Sequence, residues 1–479
     1  MKTKTVTTHC LCCAGLLLAG LALPIDARGN VITDWNDIAI PLTRNAPNVT
    51  STRQLALVHV AQFEAVNAVV GKYTPYVVNV AAPGASPEAA AAQAAHDILL
   101  RFYPTNQSVL DSELATSLAA VPDGAPKTDG ITLGAAVASQ LWTLRGSDGT
   151  TLTVSNNFPA GPGLWQPTPG GSPTPVSQQY AYATPWALRS ASQFRPGAPP
   201  ALSSAQWAAD YNEIKSLGAT NSSARTPDQT DIGLFIIEFP FFLLNSALKQ
   251  AVSTNSLSLV DSARAFALMH IASSDAGIAV WDAKYAYDFW RPVTAIQGSD
   301  TNINSATLPD PTWLPLRTTP SHPEYPCAHC TISAAMCEVL SEIFGDNFTF
   351  TLESPSLPGK PRTFQKFSDY PQLSLLGRLY AGFHYRNSSN AGLALGKNVG
   401  QYVMKNFLLT GPSLAGQLQT GEFRLTTRNV GSLQQRIETS GDLISWLTLT
   451  NYTSTDQTIQ ILDPVGGSAG HKFYRAVAQ

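Results

Sequence analysis

A mainly α-helical fold with a small C-terminal β module is predicted by three features of the sequence. Apolar residues recur at helical spacing through most of residues 52–407. Long stretches rich in Pro, Gly, Ser and Thr break that pattern at 161–201 and 298–326, and a further loop runs through Pro371. From about Phe423 the residues alternate in the two-residue period of strands.

In chain order, Lys2 and Lys4 precede an apolar run at 11–24 and a small residue, Ala27, so residues 1–27 are expected to be a secretory signal peptide, and the protein secreted or periplasmic. The run is too short to span a bilayer. Cys10, Cys12 and Cys13 fall in this segment, which leaves Cys327, Cys330 and Cys337, too few for a disulfide scaffold. Helices are expected at 52–70, at 87–102 behind the N-cap candidate Ser86, and at 108–120 and 131–144. The aromatic residues Trp165, Tyr180 and Trp186 favour an ordered covering loop at 161–201. Further helices are expected at 204–217, 230–252 and 260–289, then at 329–344, 373–383 and 391–409. The apolar run 232–244 contains Glu238 and Pro240 and reads as a buried core helix, with no membrane insertion. Residues 28–410 therefore form the predicted helical domain, 411–419 a linker, and 420–479 the β module.

The 479 residues carry a net charge of −3, with 13% charged side chains and no basic stripe, which excludes nucleic acid as a partner. In so sparsely charged a chain, three short segments stand out. Lys284 and Arg291 are seven residues apart, a spacing that two helical turns return to one face, amid Trp281, Tyr285, Tyr287, Phe289 and Trp290. Next, the stretch Ser321-His322-Pro323-Glu324-Tyr325-Pro326-Cys327-Ala328-His329 leads into an apolar helix whose N-terminal N–H groups can face an anion. Last, Arg378 and His384 are six apart, and a guanidinium there can fork two oxygens of a tetrahedral anion. Taken singly, each segment fits an ordinary role too: a solvated pair of cations, a loop histidine, an ion pair beside a core histidine. Together they outline one oxyanion site.

In order and spacing these segments resemble the vanadium-dependent haloperoxidase and type 2 phosphatidic acid phosphatase superfamily, whose pattern is Lys-x6-Arg-Pro, then Pro-Ser-Gly-His, then Ser-Arg-x5-His. The stretches from Asp275 to Lys284 and from His322 to Pro326 resemble its soluble bacterial branch. The resemblance implies a helical bundle over residues 30–410 and vanadate as cofactor, with phosphate able to occupy the same site. It implies that Lys284, Arg291 and Arg378 neutralise the anion's oxygens, that the Ala328 N–H and the Cys327 side chain add donors, and that His384 ligates vanadium. It also implies that His329 is the acid–base residue and that Lys284 polarises bound peroxide. His322 stands where similar bromoperoxidases also carry histidine, which tilts the expected halide toward bromide or iodide.

Four positions depart from the pattern: Cys327 replaces serine, Ala328 replaces glycine, Gly377 replaces the serine before Arg378, and Ser388 stands where an acid four residues after His384 would orient that ring. Cys327 and Cys330 are also close enough in sequence for a disulfide across one turn. The expected function is oxidation of a halide by hydrogen peroxide to hypohalous acid. The alternatives are an acid phosphatase that cleaves a phosphate ester through a phospho-histidine at His384, and a non-catalytic oxyanion-binding relative. An oligomer is compatible with the sequence.

Overall fold

The computed structural model describes residues 30–410, apart from 45, 47, 79, 155–158 and 299–302, together with six strands between 413 and 478 and residues 445–446. The expected signal peptide lies outside the described residues.

Asn30 caps α1 (Val31–Thr43) by accepting from the N–H groups of Ile32 and Thr33. Then come α2 (Asn48–Val70), α3 (Pro87–Phe102), α4 (Gln107–Ala119) and α5 (Ala125–Arg145). After the long loop follow α6 (Ala205–Leu217), α7 (Pro227–Phe235), α8 (Pro240–Thr254), α9 (Leu259–Tyr287) and α10 (Pro292–Gly298). Next are α11 (Ala328–Phe344), the β1–β2 hairpin (Phe350–Leu352 and Arg362–Phe364), α12 (Asp369–Tyr380) and α13 (Arg386–Asn406). The predicted mainly helical class is the observed one.

The centre of the fold is α9. It is apolar all round, and its residues 262–281 are buried except Arg264. It packs on α2 on one side and on α11 and α13 on the other. The α11–α13 contact is closest of all. At Gly392 an added Cβ would stand 2.6 Å from the Cys327 carbonyl oxygen, at Gly400 it would stand 2.7 Å from that of Ala335, and at Gly396 it would meet the Thr331 carbonyl closer still. Three glycines at four-residue spacing thus let the two backbones touch, and α11 is held in fixed register along α13.

The helix expected at 230–252 is two helices, α7 and α8, bent by 89°. Pro240, without an N–H, begins α8 at its first turn, and the chain before it is released from helix. The bend carries Ile237 and Phe239 to the cavity described below. No single helix among the described residues is long and apolar enough to cross a membrane.

The long loop is ordered where it meets α9. Asp275 accepts from the backbone N–H groups of Trp186, Ala187 and Leu188 at 2.6, 2.7 and 2.9 Å. Burial raises its carboxyl to about 6. Further back, the Trp165 N–H donates to the Asp288 carbonyl at 2.7 Å and the Trp290 N–H to that of Gly163 at 3.0 Å.

The last 70 residues hold β3 (Ser413–Gln419), β4 (Glu422–Arg428), β5 (Gln434–Ser440), β6 (Leu447–Thr453), β7 (Ile459–Pro464) and β8 (Phe473–Ala478). They form two antiparallel three-stranded sheets, ordered β3-β4-β7 and β6-β5-β8. Strand β3 occupies most of the stretch read as a linker, because Leu414–Leu418 pairs in register with Phe423–Thr427.

Candidate functional site

The spacing of Lys284 and Arg291 was expected to place both on one helical face. Instead, α9 ends at Tyr287, and Asp288 adopts a left-handed conformation (φ 46°, ψ 41°) that turns the chain out of the helix. Arg291 lies beyond that turn, and the two cations reach the site from different backbone segments.

Both are fully buried. Lys284 Nζ donates to three carbonyls of the 323–326 loop: Pro323 at 2.8 Å, Glu324 at 2.9 Å and Pro326 at 2.6 Å. Burial, reinforced by the Arg291 charge, holds its ammonium well below the usual lysine range. Arg291 donates through Nε to the His322 carbonyl at 2.8 Å and through Nη1 to that of Phe383 at 3.0 Å. It also reaches two rings, with Nη1 at 3.2 Å from His384 Nε2 and Nη2 at 3.0 Å from His322 Nδ1. Burial brings Arg291 down to about 9.

That contact fixes the chemistry of His384. A guanidinium can only donate, so Nε2 carries a lone pair and the proton sits on Nδ1. Nδ1–H donates to Glu324 Oε1 at 2.9 Å, and the Tyr385 backbone N–H donates to the same oxygen at 3.0 Å. Glu324 is therefore the carboxylate that orients His384. It was sought four residues downstream, where Ser388 stands; it comes from 60 residues upstream instead. Ser388 is buried, and its carbonyl accepts from the Cys327 N–H at 3.2 Å. The available signal was local: Glu324 is the sole Glu in the 298–326 stretch, set between two prolines and next but one to His322.

Arg378 and His384 are tied through one turn. The Arg378 carbonyl accepts from the N–H groups of Phe383 and His384 at 3.1 and 3.4 Å, and Gly382 supplies the left-handed residue (φ 77°) that ends α12. An added Cβ at Gly382 would stand 2.6 Å from the Gly218 carbonyl oxygen, so this turn also requires glycine for space. Gly377 has a similar reason: a Cβ there would lie 2.6 Å from Ile236 Cβ. The serine of the family pattern does not fit against α7.

The Arg378 guanidinium is buried over the Phe383 ring, 4.5 Å from its centroid. Its Nε has no partner among the described residues, and Nη1 has only a 3.5 Å approach to the Ile236 carbonyl. His329, in the first turn of α11, has an unpartnered, buried Nε2. The Ile237 backbone partners the other side of its ring, so the Nε2 lone pair is the free one. Burial first, and then the Arg378 charge, hold His329 neutral, well below the usual histidine range. His384 is lowered by burial and then by Arg291, Lys284 and Arg378.

Cys327 is the N-cap of α11, with Sγ accepting from the Cys330 N–H at 3.2 Å. Both thiols are free and no disulfide joins them. Burial alone would raise the Cys327 thiol. The Cys330 side chain, Arg378, the Cys330 N–H and Lys284 outweigh it and bring the group down to about 7. Serine caps helices well, so Cys327→Ser is expected to keep the fold, while Cys327→Ala should cost about 1 kcal/mol in urea unfolding.

A cavity of about 570 Å³ opens onto these groups. His384, His329, His322, Arg378 and Ala328 line its inner end. Lys284, Arg291 and Cys327 do not line it; they stand behind the lining residues. Three buried basic side chains, Lys284, Arg291 and Arg378, stand around one buried carboxyl group here, and none of the three has a carboxylate as hydrogen-bond partner among the described residues. Burial of that excess charge is costly without an anion. The orphaned Arg378 Nε and His329 Nε2 belong to residues that line this cavity, and they fit a bound tetrahedral oxyanion such as vanadate or phosphate.

Residues 264–409, which include every site residue above, match the family described as the VCPO second helical-bundle domain. The vanadium chloroperoxidase of Curvularia inaequalis is 27% identical over 180 residues, 30% of this chain, and the match spans 29% of that protein's length. Two solved structures share the fold. A bacterial vanadium-dependent iodoperoxidase aligns with a TM-score of 0.69 at 23% identity, over 79% of this chain and 97% of that one. A holo-type bacterial vanadium-dependent chloroperoxidase aligns with a TM-score of 0.57 at 16% identity, over 80% and 93%. Over residues 264–409 the chain is thus similar to the second helical bundle of the vanadium haloperoxidases, and it shares the fold of the solved bacterial ones.

Proposed function

We propose that the protein is a vanadate-dependent haloperoxidase that oxidises bromide or iodide with hydrogen peroxide. The observation that carries this reading is the His384 Nε2 lone pair, held toward an anion by Nδ1–H···Glu324 and surrounded by Arg291 and Arg378. Vanadate bound there supplies a Lewis acid that activates peroxide toward a halide without changing its own oxidation state. The chain's residues do the rest. His384 Nε2 offers its lone pair to the bound group, and Arg378 donates to the anion's oxygens. The Arg291 Nη1–H that now faces His384 Nε2 can turn to donate its hydrogen bond to an oxygen of the anion instead. The Ala328 N–H, at the positive end of α11, adds a backbone donor. Neutral His329, with Nε2 free at the cavity, takes a proton from peroxide.

Lys284 is assigned here to holding the 323–326 loop that carries Glu324, through the three carbonyls it meets. His322 lines the cavity beside Trp281, ring centroids 5.0 Å apart, which supports assigning it to meet the halide.

The same lone pair supports a second reading, phosphate-ester hydrolysis, with His384 Nε2 attacking phosphorus and His329 serving the leaving group. The test is to load the purified protein with orthovanadate and to assay peroxide-dependent bromination beside p-nitrophenyl phosphate hydrolysis. Bromination that requires vanadate and is lost in His384→Ala supports the proposal. Bromination indifferent to vanadate would sink it, and phosphatase activity lost in the same variant would favour the second reading. Export to the periplasm or the medium is proposed from the N-terminal 27 residues, and cell fractionation of the full chain tests it.

A further inference from the structure

The cavity is larger than the chemistry just proposed needs. Vanadate, a peroxide and a halide together require roughly 150–200 Å³, taking about 30 Å³ for each water-sized group. The cavity holds about 570 Å³.

The additional space has a definite character. Its walls are Phe239, Phe241, Trp281, Phe383, Ile237 and Ile332. The Phe239 and Phe241 rings are parallel within 9°, with centroids 5.5 Å apart, and Phe239 also lies 5.3 Å from the His329 ring. Phe239 thus puts an aromatic face into the cavity beside His329, backed by the buried Phe241 ring. At the mouth, among Thr318, Pro320, Ser321 and Ser172, stands exposed Arg317. Its one hydrogen bond is to the adjacent Leu316 carbonyl at 3.2 Å, and no carboxylate pairs with it among the described residues. Among the described residues, no acidic side chain lines the cavity.

We infer that this vestibule binds an organic substrate: a planar, electron-rich arene carrying a carboxylate, with its ring on the Phe239–Phe241 wall and its carboxylate on Arg317. The inference rests on the site being a halide-oxidising centre. Aromatic walls favour a planar ring, and an unpaired guanidinium favours a carboxylate. The transfer balances: peroxide, halide and a proton give hypohalous acid and water. The arene carbon then bonds to halogen as the oxygen–halogen bond breaks. The ring C–H bond releases its proton, which leaves with hydroxide as a second water.

The probe is 4-hydroxyphenylacetate, with its methyl ester as the uncharged control. Vanadate-free protein is titrated with each by calorimetry. The acid is expected to bind about tenfold more tightly than the ester, and Arg317→Gln is expected to remove that preference. Because Arg317 is exposed, this variant is expected to fold. Phe241→Leu should weaken both compounds. With vanadate-loaded protein, peroxide and bromide, a mixture of acid and ester should be brominated in a ratio shifted toward the acid relative to reagent hypobromous acid. Equal binding of acid and ester, or the reagent's own product ratio, overturns the inference and leaves the haloperoxidase reading standing. Arg317-dependent binding of the acid without any vanadate-dependent bromination supports the vestibule and overturns the haloperoxidase reading.

Discussion

Arg378→Met is expected to weaken binding of inorganic phosphate or orthovanadate about 100-fold while leaving the ligand-free protein at least as stable as the wild type. The two halves have one cause. Arg378 is buried beside two other buried cations, its Nε is unpartnered, and Phe383 is the main surface it touches. Without an anion, its charge is desolvated and repelled. Removing it discards a buried charge that no carboxylate pairs with among the described residues, and a thioether of similar length covers the Phe383 ring. With the anion, Arg378 supplies charge-assisted hydrogen bonds worth about 1.5–3 kcal/mol each, and losing about 2.7 kcal/mol is the 100-fold. Calorimetric titration with phosphate and thermal unfolding with and without 10 mM phosphate measure both halves. A variant that binds phosphate normally, or that unfolds well below the wild type without ligand, contradicts this account.

The second large effect belongs to Glu324. Glu324→Leu removes the acceptor of His384 Nδ1–H and of the Tyr385 N–H, leaving two buried donors without partners. Activity at saturating peroxide and halide is expected to fall 10- to 100-fold, the usual effect of losing the group that orients a ligand histidine. Glu324→Gln keeps an acceptor oxygen and should recover part of that loss. The pH dependence has a definite sign. Burial raises the Glu324 carboxyl from 4.5 to about 8, against the pull of Arg291 and Lys284. The folded, ligand-free protein thus holds this proton more tightly than the unfolded chain. The contribution to stability is fully present below pH 4.5 and is lost as pH rises toward 8. Its slope is at most about 1.4 kcal/mol per pH unit, and Glu324→Gln should remove it. Urea unfolding of wild type and variant at pH 5, 6.5 and 8 checks this, with the difference between the two as the readout.

Much of this was visible in the sequence, and what was missed follows from physical causes. Helical periodicity located the bundle, because a buried face must repeat every 3.6 residues wherever it packs. Periodicity does not register a backbone that leaves the helix between two apolar segments. The 230–252 stretch therefore read as one helix although Pro240 starts a second. The same limit misplaced Arg291, since the turn at Asp288 is a single left-handed residue with no glycine to announce it. The motif residues converge on one cavity or stand directly behind it. Spacing alone did not reveal which of them are committed elsewhere. Lys284 and Arg291 have the right charge for an anion, but their hydrogen bonds go to carbonyls and rings of the site's own loops. Glu324 was missed because the resemblance points to an acid four residues after His384, whereas the pair His384–Glu324 is formed between two loops far apart in the chain.

The glycines that bring α13 against α11 have a consequence for how such a protein can change. Gly392, Gly396 and Gly400 set the spacing of the two helices by backbone contact, so side-chain replacement along α13 has little latitude to move His329 or the N-terminus of α11. Much of the remaining cavity wall comes from elsewhere, including the 170–172 segment, the bend at 237–241 and the 317–322 loop. None of these is clamped by that helix contact. Changes in the 170–172 segment or at the 237–241 bend can therefore reshape the cavity without moving the α11–α13 contact that holds His329.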